Sequence, residues 1–190
     1  MSTRTAQKVL ALAGGAGAGK TALARRLQGG IPRCAVIHLD DCLHTGPGRA
    51  PTVPAFHGEG EVVDFSDPLA IDLALVRSAL RSRAEAPLLV VEGTFALALP
   101  LLRRLATWSV YVDAPADVRL ARKMLRKLGE GADLRPSLHG YLERGRRAHD
   151  VHVAPGRELA DLVVDGVSEL DEQVRRVRVL MGRRTKGHGR

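Results

Sequence analysis

Aromatic residues are scarce in this chain, which has three Phe, two Tyr and one Trp among 190 residues. Proteins that bind single-stranded nucleic acid stack bases on aromatic side chains set among basic ones, and this chain has too few aromatics for such a platform. Its formal charge of +8 comes largely from basic runs at 119–127, 144–147 and 175–190, which also suit a protein that handles phosphates. The composition therefore argues against a nucleic-acid partner.

Cysteines and long apolar runs are scarce as well. Cys34 and Cys42 are the only two cysteines, and without a CxxC spacing they indicate neither a disulfide framework nor a zinc site. No apolar run is long enough to cross a bilayer, and the polar segment 1–8 lacks the apolar core of a signal peptide. We expect a cytoplasmic protein with no membrane partner. At this length we expect a single domain, 1–181, followed by a basic, disordered tail, 182–190.

The stretch GGAGAGKT matches the template of a phosphate-binding loop, with Gly14, Gly19, Lys20 and Thr21 at the fixed positions. A buried-strand pattern precedes it at 9–13 and a helical pattern follows, so a glycine-rich turn that merely happens to precede Lys-Thr is disfavoured. Consecutive backbone N–H groups can wrap a phosphate only where side chains are absent or small. The predicted nucleotide-binding residues are Gly14, Gly15, Ala16, Gly17, Ala18, Gly19, Lys20 and Thr21.

This loop predicts the cofactors. Lys20 brings a mobile positive charge to the β- and γ-phosphates, and the hydroxyl of Thr21 is placed to bind the Mg²⁺ that bridges them. ATP and Mg²⁺ are therefore the expected cofactors.

Strand and helix patterns alternate along the whole chain, which predicts an α/β fold with a five-stranded parallel sheet covered by helices on both faces. The predicted strands are 9–13, 35–39, 88–91, 109–112 and 162–164. The predicted helices are 20–27, 68–82, 100–105, 115–128, 137–149 and 169–181. A long segment rich in Gly and Pro, 41–66, interrupts the alternation. Because it leaves the edge of the sheet that carries the phosphate-binding loop, we expect it to face a substrate.

Acidic residues follow two of the predicted strands at this edge. Asp40 could accept a proton from an attacking hydroxyl, but it could equally cap a turn, and Asp41 is better explained as a cap. Glu92 ends a run of four apolar residues, as a Walker-B acid does, and could hold Mg²⁺ directly or through water. Burying a carboxylate there without a bound cation or a hydrogen-bond partner would cost folding free energy.

A basic strip follows the fourth predicted strand. Arg119, Arg122 and Arg126 share one helix face, so they could close over the phosphates during transfer. A solvated basic face is the alternative. The flexible sequence Gly-Glu-Gly at 129–131 suggests a hinge and hence a lid over about 119–136.

Taken together, these motifs resemble the uridine kinase and phosphoribulokinase-like group of P-loop kinases. The resemblance is carried by GGAGAGKT, VIHLDD, VVDFSDPLAID, LLVVEGTFAL, VYVDAPADVRLARKMLR and YLERGRRAHDVHVAPGRELADLVV. It implies the P-loop NTPase fold. It also implies that Asp40 is the general base, that Thr21 and Glu92 form the Mg²⁺ side of the site, and that Arg119 and Arg122 face substrate and phosphates.

The chain departs from that family at two places. Uridine kinases read the pyrimidine with a β-hairpin before the third strand, whereas here only 83–87 connect helix and strand. Cys42-Leu43 also stands where the family tends to have Phe-Tyr. Nicotinamide riboside kinases are a similar relative that is poor in such hairpins. The remaining candidates for contacting an acceptor are Phe56, His57 and Phe65.

These patterns predict an ATP- and Mg²⁺-dependent kinase that phosphorylates a hydroxyl of a small molecule, a nucleoside being one candidate. Lys20, Asp40, Arg119 and Arg122 are its predicted catalytic residues. The alternatives are a nucleotide-regulated switch or ATPase without kinase activity, and a nucleic-acid-associated ATPase acting through the basic tail. A GTPase is disfavoured because the Asn-Lys-x-Asp motif is missing. The sequence leaves the acceptor open and is compatible with a homo-oligomer.

Overall fold

The computed structural model describes residues 6–46 and 48–183. The strands are β1 (Lys8–Gly14), β2 (Cys34–His38), β3 (Thr52–Pro54), β4 (Glu61–Val63), β5 (Leu88–Glu92), β6 (Trp108–Asp113) and β7 (Leu162–Asp165). The helices are α1 (Lys20–Gly30), α2 (Leu73–Ser82), α3 (Pro100–Leu105), α4 (Ala116–Gly129), α5 (Arg135–Gly140), α6 (Arg146–Ala148) and α7 (Leu170–Gly182). Among these described helices, none combines the length and apolarity that a membrane crossing requires.

Five strands form one parallel sheet in the order β2-β5-β1-β6-β7. All five correspond to strands predicted from the sequence, and the predicted α/β fold with flanking helices is confirmed. Because every strand runs in the same direction, the carboxyl ends of β1, β2 and β5 meet at one edge. The phosphate-binding loop, Asp40 and Glu92 all lie at that edge.

The core consists of two layers, one on each face of the sheet. Along β1, Val9, Ala11 and Ala13 pack on the side of α2 and α3, while Leu10 and Leu12 pack on the side of α1 and α7. This alternation follows the two-residue period of a strand. With both faces covered, β1 is apolar from Val9 to Ala13, and it fixes the loop that follows it at Gly14.

The long segment 41–66 differs from its sequence prediction. It contains a short antiparallel hairpin, β3–β4, in which Thr52 pairs with Val63. The helix predicted over 68–82 is also divided: a 3₁₀ turn covers Pro68–Ala70, and α2 begins only at Leu73. Ile71 causes the break because it forms a β-bridge with Leu43.

A helical segment follows α4 and lines a cavity beside the phosphate-binding loop. It runs through α5, a π-helical stretch (Tyr141–Gly145), α6 and a second π-helical stretch (His149–Val153), and is called the pocket helix (135–153) below. It extends the predicted helix 137–149 at both ends. Of the predicted tail 182–190, Gly182 ends α7 and Arg183 follows it, while 184–190 lie outside the described residues.

Candidate active site

The phosphate-binding loop joins β1 to α1, and its glycines Gly14, Gly17 and Gly19 have positive φ angles that side chains disfavour. Gly17 has φ 84°, in the region that glycine adopts readily, and a Cβ there would collide with the backbone of Arg119. Helix α1 begins directly after Gly19, so its N-terminal N–H groups point toward the loop. This combination of free N–H groups and helix dipole is suited to an anion such as phosphate.

Lys20 is the first residue of α1 and is 7% exposed. Its Nζ donates a hydrogen bond to the carbonyl of Gly15 at 3.0 Å. Burial lowers the pKa of Lys20 from its ordinary value, while the negative charges of Glu92 and Asp40 act in the opposite direction. The ammonium group is thus held at the loop with two carboxylates close enough to influence it.

Glu92 lies at the end of β5 and is 5% exposed. Its Oε1 accepts a hydrogen bond from Oγ1 of Thr21 at 2.9 Å and one from Nδ1 of His38 at 2.6 Å. His38 and Glu92 are direct neighbours in the register of β2 and β5. Since an ionised carboxylate only accepts, His38 carries a proton on Nδ1. The pair of Thr21 and Glu92 fits Mg²⁺, which prefers oxygen ligands and completes its shell with phosphate oxygens and water.

Asp40 is exposed in the 3₁₀ turn Leu39–Cys42 that follows β2. The N-cap residue of that turn is His38, whose side chain makes no capping hydrogen bond within the described residues. The carboxylate of Asp40 faces solvent near Lys20.

Two arginines of the basic strip, Arg119 and Arg122, diverge. The Arg119 guanidinium lies against Gly15 of the phosphate-binding loop, with its Nε donating to the Ala114 carbonyl at 3.0 Å. The NH1 group of Arg122 instead donates to the carbonyl of Gly166, after β7, at 2.8 Å. Of the two, Arg119 reaches the face of the loop, while Arg122 holds the β7–α7 turn.

A cavity of about 560 Å³ opens beside the loop, between the β3–β4 hairpin and the pocket helix. Ala16 and Arg119 line it at the loop end, and Thr94, two residues after Glu92, lines its floor. The lining residues include all three Phe of the chain, three further cations and two carboxylates: Phe56, Phe65, Phe95, Lys123, Arg144, Arg146, Asp64 and Asp150. Asp40 is not among the lining residues. A space of this size suits a small molecule.

The aromatic wall of this cavity comes from the segment that the sequence predicted to face a substrate. Phe56 and Phe65 are 44% and 57% exposed, although phenyl groups are usually buried. Phe56 makes an edge contact with His57, at 4.7 Å between ring centroids, and a tilted contact with His139 of the pocket helix at 5.0 Å. The hairpin and the pocket helix therefore meet across the mouth of the cavity.

Two histidines of the site were missed by sequence reasoning. His38 contacts Glu92, and Nδ1 of His149 lies 3.3 Å from NH1 of Arg119. Neither has a metal-ligand spacing, which is why the sequence gives them no role. One available signal was the position of His149 inside the segment YLERGRRAHDVHVAPGRELADLVV, which carries part of the family resemblance.

Comparison with known proteins gives three results. The sequence profile of the Phosphoribulokinase / Uridine kinase family matches residues 64–173. A uridine kinase of Borrelia hermsii (strain HS1 / DAH) is 25% identical over 183 residues, covering 83% of this chain and 85% of the relative. One of Staphylococcus aureus (strain JH9) is 34% identical over 77 residues, covering 40% of this chain and 37% of the relative.

Solved structures show the same fold. A putative fructose transport system kinase from Silicibacter sp. TM1040 superposes with a TM-score of 0.55 at 17% identity, covering 86% of this chain and 93% of that one. The shikimate kinase of Bacteroides thetaiotaomicron gives 0.52 at 16% identity, covering 92% and 98%. At these identities the likeness concerns the fold alone.

Proposed function

The chain belongs to the phosphoribulokinase/uridine kinase family, and from that premise we propose that it is an ATP- and Mg²⁺-dependent kinase that phosphorylates a hydroxyl of a small molecule. The observation that carries the proposal is the cavity beside the phosphate-binding loop, lined at that end by Ala16 and Arg119. An acceptor bound there would present its hydroxyl next to the γ-phosphate. The proposal retains the sequence-based expectation of a cytoplasmic enzyme with a lid over about 119–136.

The residues divide the work of transfer. Lys20 and the backbone N–H groups of the loop would hold the β- and γ-phosphates, and Arg119 would stabilise the charge that spreads over the transferred group. Thr21 and Glu92 would hold Mg²⁺, which supplies charge neutralisation to the phosphates when bound. Positioning and electrostatics dominate such transfers, so little covalent chemistry falls to the protein.

Asp40 is proposed as the general base. Its charge acts on Lys20, whose ammonium group would mark the position of the phosphates. Of the carboxylates that line the cavity, Asp64 already accepts two hydrogen bonds from Ser66, at 3.0 and 2.6 Å, which gives it a structural task. Asp150 lines the cavity, its carboxylate has no hydrogen-bond partner among the described residues, and it is the competing candidate for the base.

The acceptor is proposed to carry an apolar or planar part, because Phe56, Phe65 and Phe95 all line its cavity. A nucleoside is one such compound. Helix α2 ends at Ser82 and β5 begins at Leu88, so the base-reading hairpin of uridine kinases has no room between them. The β3–β4 hairpin, which precedes α2, is proposed to take over acceptor recognition.

The experiment is a measurement of ADP release from ATP·Mg²⁺ over a panel of nucleosides, nicotinamide riboside, pantothenate and simple sugars. Asp40→Asn should keep ATP binding and lose transfer, Lys20→Ala should lose turnover altogether, and Asp41→Asn is the matched control on the same turn. Transfer that survives Asp40→Asn but not Asp150→Asn would assign the base role to Asp150. A flat panel with tight ATP binding would favour a nucleotide-dependent switch.

A further inference from the structure

We propose that His149 is a positioning residue that holds Arg119 on the phosphate-binding loop and thereby links the acceptor cavity to the site of phosphoryl transfer. The inference rests on the proposed kinase function for its catalytic consequence. The contact between His149 and Arg119 can be tested without measuring enzymatic activity.

The first observation is how closely Arg119 packs on the loop. Its backbone carbonyl lies where a Cβ of Gly17 would be, and its NH1 lies where a Cβ of Gly15 would be. The loop therefore leaves room for this arginine only because both positions are glycine. Such a fit fixes where the guanidinium can lie, at the same loop that would wrap the phosphates.

The second observation is the hydrogen bonding of the guanidinium. Nε donates to the Ala114 carbonyl at 3.0 Å, and NH1 lies 3.3 Å from Nδ1 of His149. A guanidinium has only donors, so Nδ1 of His149 must be the acceptor. His149 is therefore neutral in this contact and carries its proton on Nε2. No other protein acceptor is found for Arg119 within the described residues, which leaves its remaining N–H groups available to a phosphate.

The third observation is where His149 lies. It is half-buried on the pocket helix and lines the acceptor cavity together with Ala148 and Gly145. Arg119 lines the same cavity from α4. An acceptor that fills the cavity therefore contacts the pocket helix, whose His149 orients Arg119. Acceptor binding can in this way affect the position of Arg119 at the transfer site.

Burial, more than the charges around it, favours the neutral form of His149. Burial lowers its pKa from the ordinary value, with Arg119 as the next cause and Lys20 of α1 acting in the same direction, while Asp150 on its own helix and Asp113 of β6 raise it. As pH falls through this lowered pKa, His149 gains a proton on Nδ1. It can then no longer accept from Arg119, and two positive charges face each other. The contact is thus present at neutral pH and lost on acidification.

The first test is kinetic. We expect His149→Ala to lower kcat about tenfold, the effect of one hydrogen bond to a charged group, with a smaller change in the acceptor KM. His149→Gln should restore most of this loss, because its amide oxygen can accept from Arg119. His149→Lys should be impaired at every pH. His152→Gln, on the same helix but outside the cavity lining, is the control.

A double-mutant cycle separates positioning from a general effect on folding. In the Arg119→Ala background, His149→Ala should cause no further loss. Equal losses in both backgrounds, or a His149→Gln variant as impaired as His149→Ala, would overturn the proposal. The wild-type kcat should decline on the acidic side of neutrality, and His149→Gln should lack that step; an unchanged profile would likewise contradict it.

The second test needs no turnover. Imidazole NMR of the full chain should find His149 as the Nε2–H tautomer, with a pKa below its ordinary value that rises in Arg119→Ala. If His149 titrates at its ordinary pKa and ignores that substitution, the positioning role is wrong even if the protein is an active kinase. If the NMR result holds but no compound is phosphorylated, the contact stands and the proposed function fails.

Discussion

Replacing Thr21 with Val tests the central pair of the proposed site, because Val keeps the shape of Thr and removes only the hydroxyl. Oγ1 of Thr21 donates to Oε1 of Glu92 at 2.9 Å, and Glu92 is buried. A hydrogen bond to a charged acceptor contributes about 1.5–3 kcal/mol to stability. Since Thr21 is half-buried, we expect the lower end, about 1.5 kcal/mol. For a chain of this size that corresponds to a fall of roughly 3–6 °C in melting temperature.

The catalytic effect of the same change should be larger. Val offers no oxygen to Mg²⁺, and the charge stabilisation that a metal gives to phosphoryl transfer amounts to several kcal/mol, so kcat should fall at least about a hundredfold. Thr21→Ser keeps the hydroxyl and should retain both stability and turnover. Thermal unfolding and Mg²⁺-dependent ADP release are measured on the same preparations. If Val changes the melting temperature by less than about 1 °C and turnover by less than about twofold, the pair has neither role.

Two further substitutions test the loop and the cavity. Gly15→Ala places a Cβ where the Arg119 guanidinium lies, so kcat/KM should fall about tenfold or more; Gly29→Ala on α1, where a Cβ would meet nothing within 4 Å, is the control and should raise stability by up to about 1 kcal/mol. Phe56→Ala should raise the acceptor KM about tenfold and leave the KM for ATP unchanged, and equal effects on both would contradict its place in the acceptor site.

The sheet and the loop could be predicted because their signals are local. Strands buried on both faces are continuous apolar runs. Glycines that stand before Lys-Thr, between a strand and a helix, are typical of a phosphate-binding loop. The β3–β4 hairpin could not be predicted, since its strands have three residues each and lie among turn-forming Gly and Pro. The break at Ile71 was missed for a related reason: it depends on a bridge to Leu43, and helical periodicity carries no information about such a partner.

The roles of the histidines escaped prediction because they depend on contacts between residues that are far apart in the sequence. His38 meets Glu92 only because β2 and β5 pair so that these two residues are neighbours; a shift of one residue would point the imidazole to the other face of the sheet. Separations of 54 residues for this contact and 30 for that between Arg119 and His149 leave no trace in local spacing. The sequence places the acids at the correct edge, and the pairing of the strands selects the side chains that contact them.

Arg119 and Arg122 show why a shared helix face does not imply a shared task. They lie three residues apart on α4, yet Arg119 packs on Gly15 of the loop and Arg122 donates to Gly166. The difference comes from the neighbouring backbone carbonyls. Nε of Arg119 donates to the carbonyl of Ala114, just before α4, whereas NH1 of Arg122 donates to the carbonyl of Gly166, just after β7. If both arginines acted on the phosphates, their alanine variants would reduce kcat alike. The geometry instead predicts that Arg119→Ala lowers kcat, whereas Arg122→Ala loosens the β7–α7 turn and acts mainly on nucleotide affinity and stability.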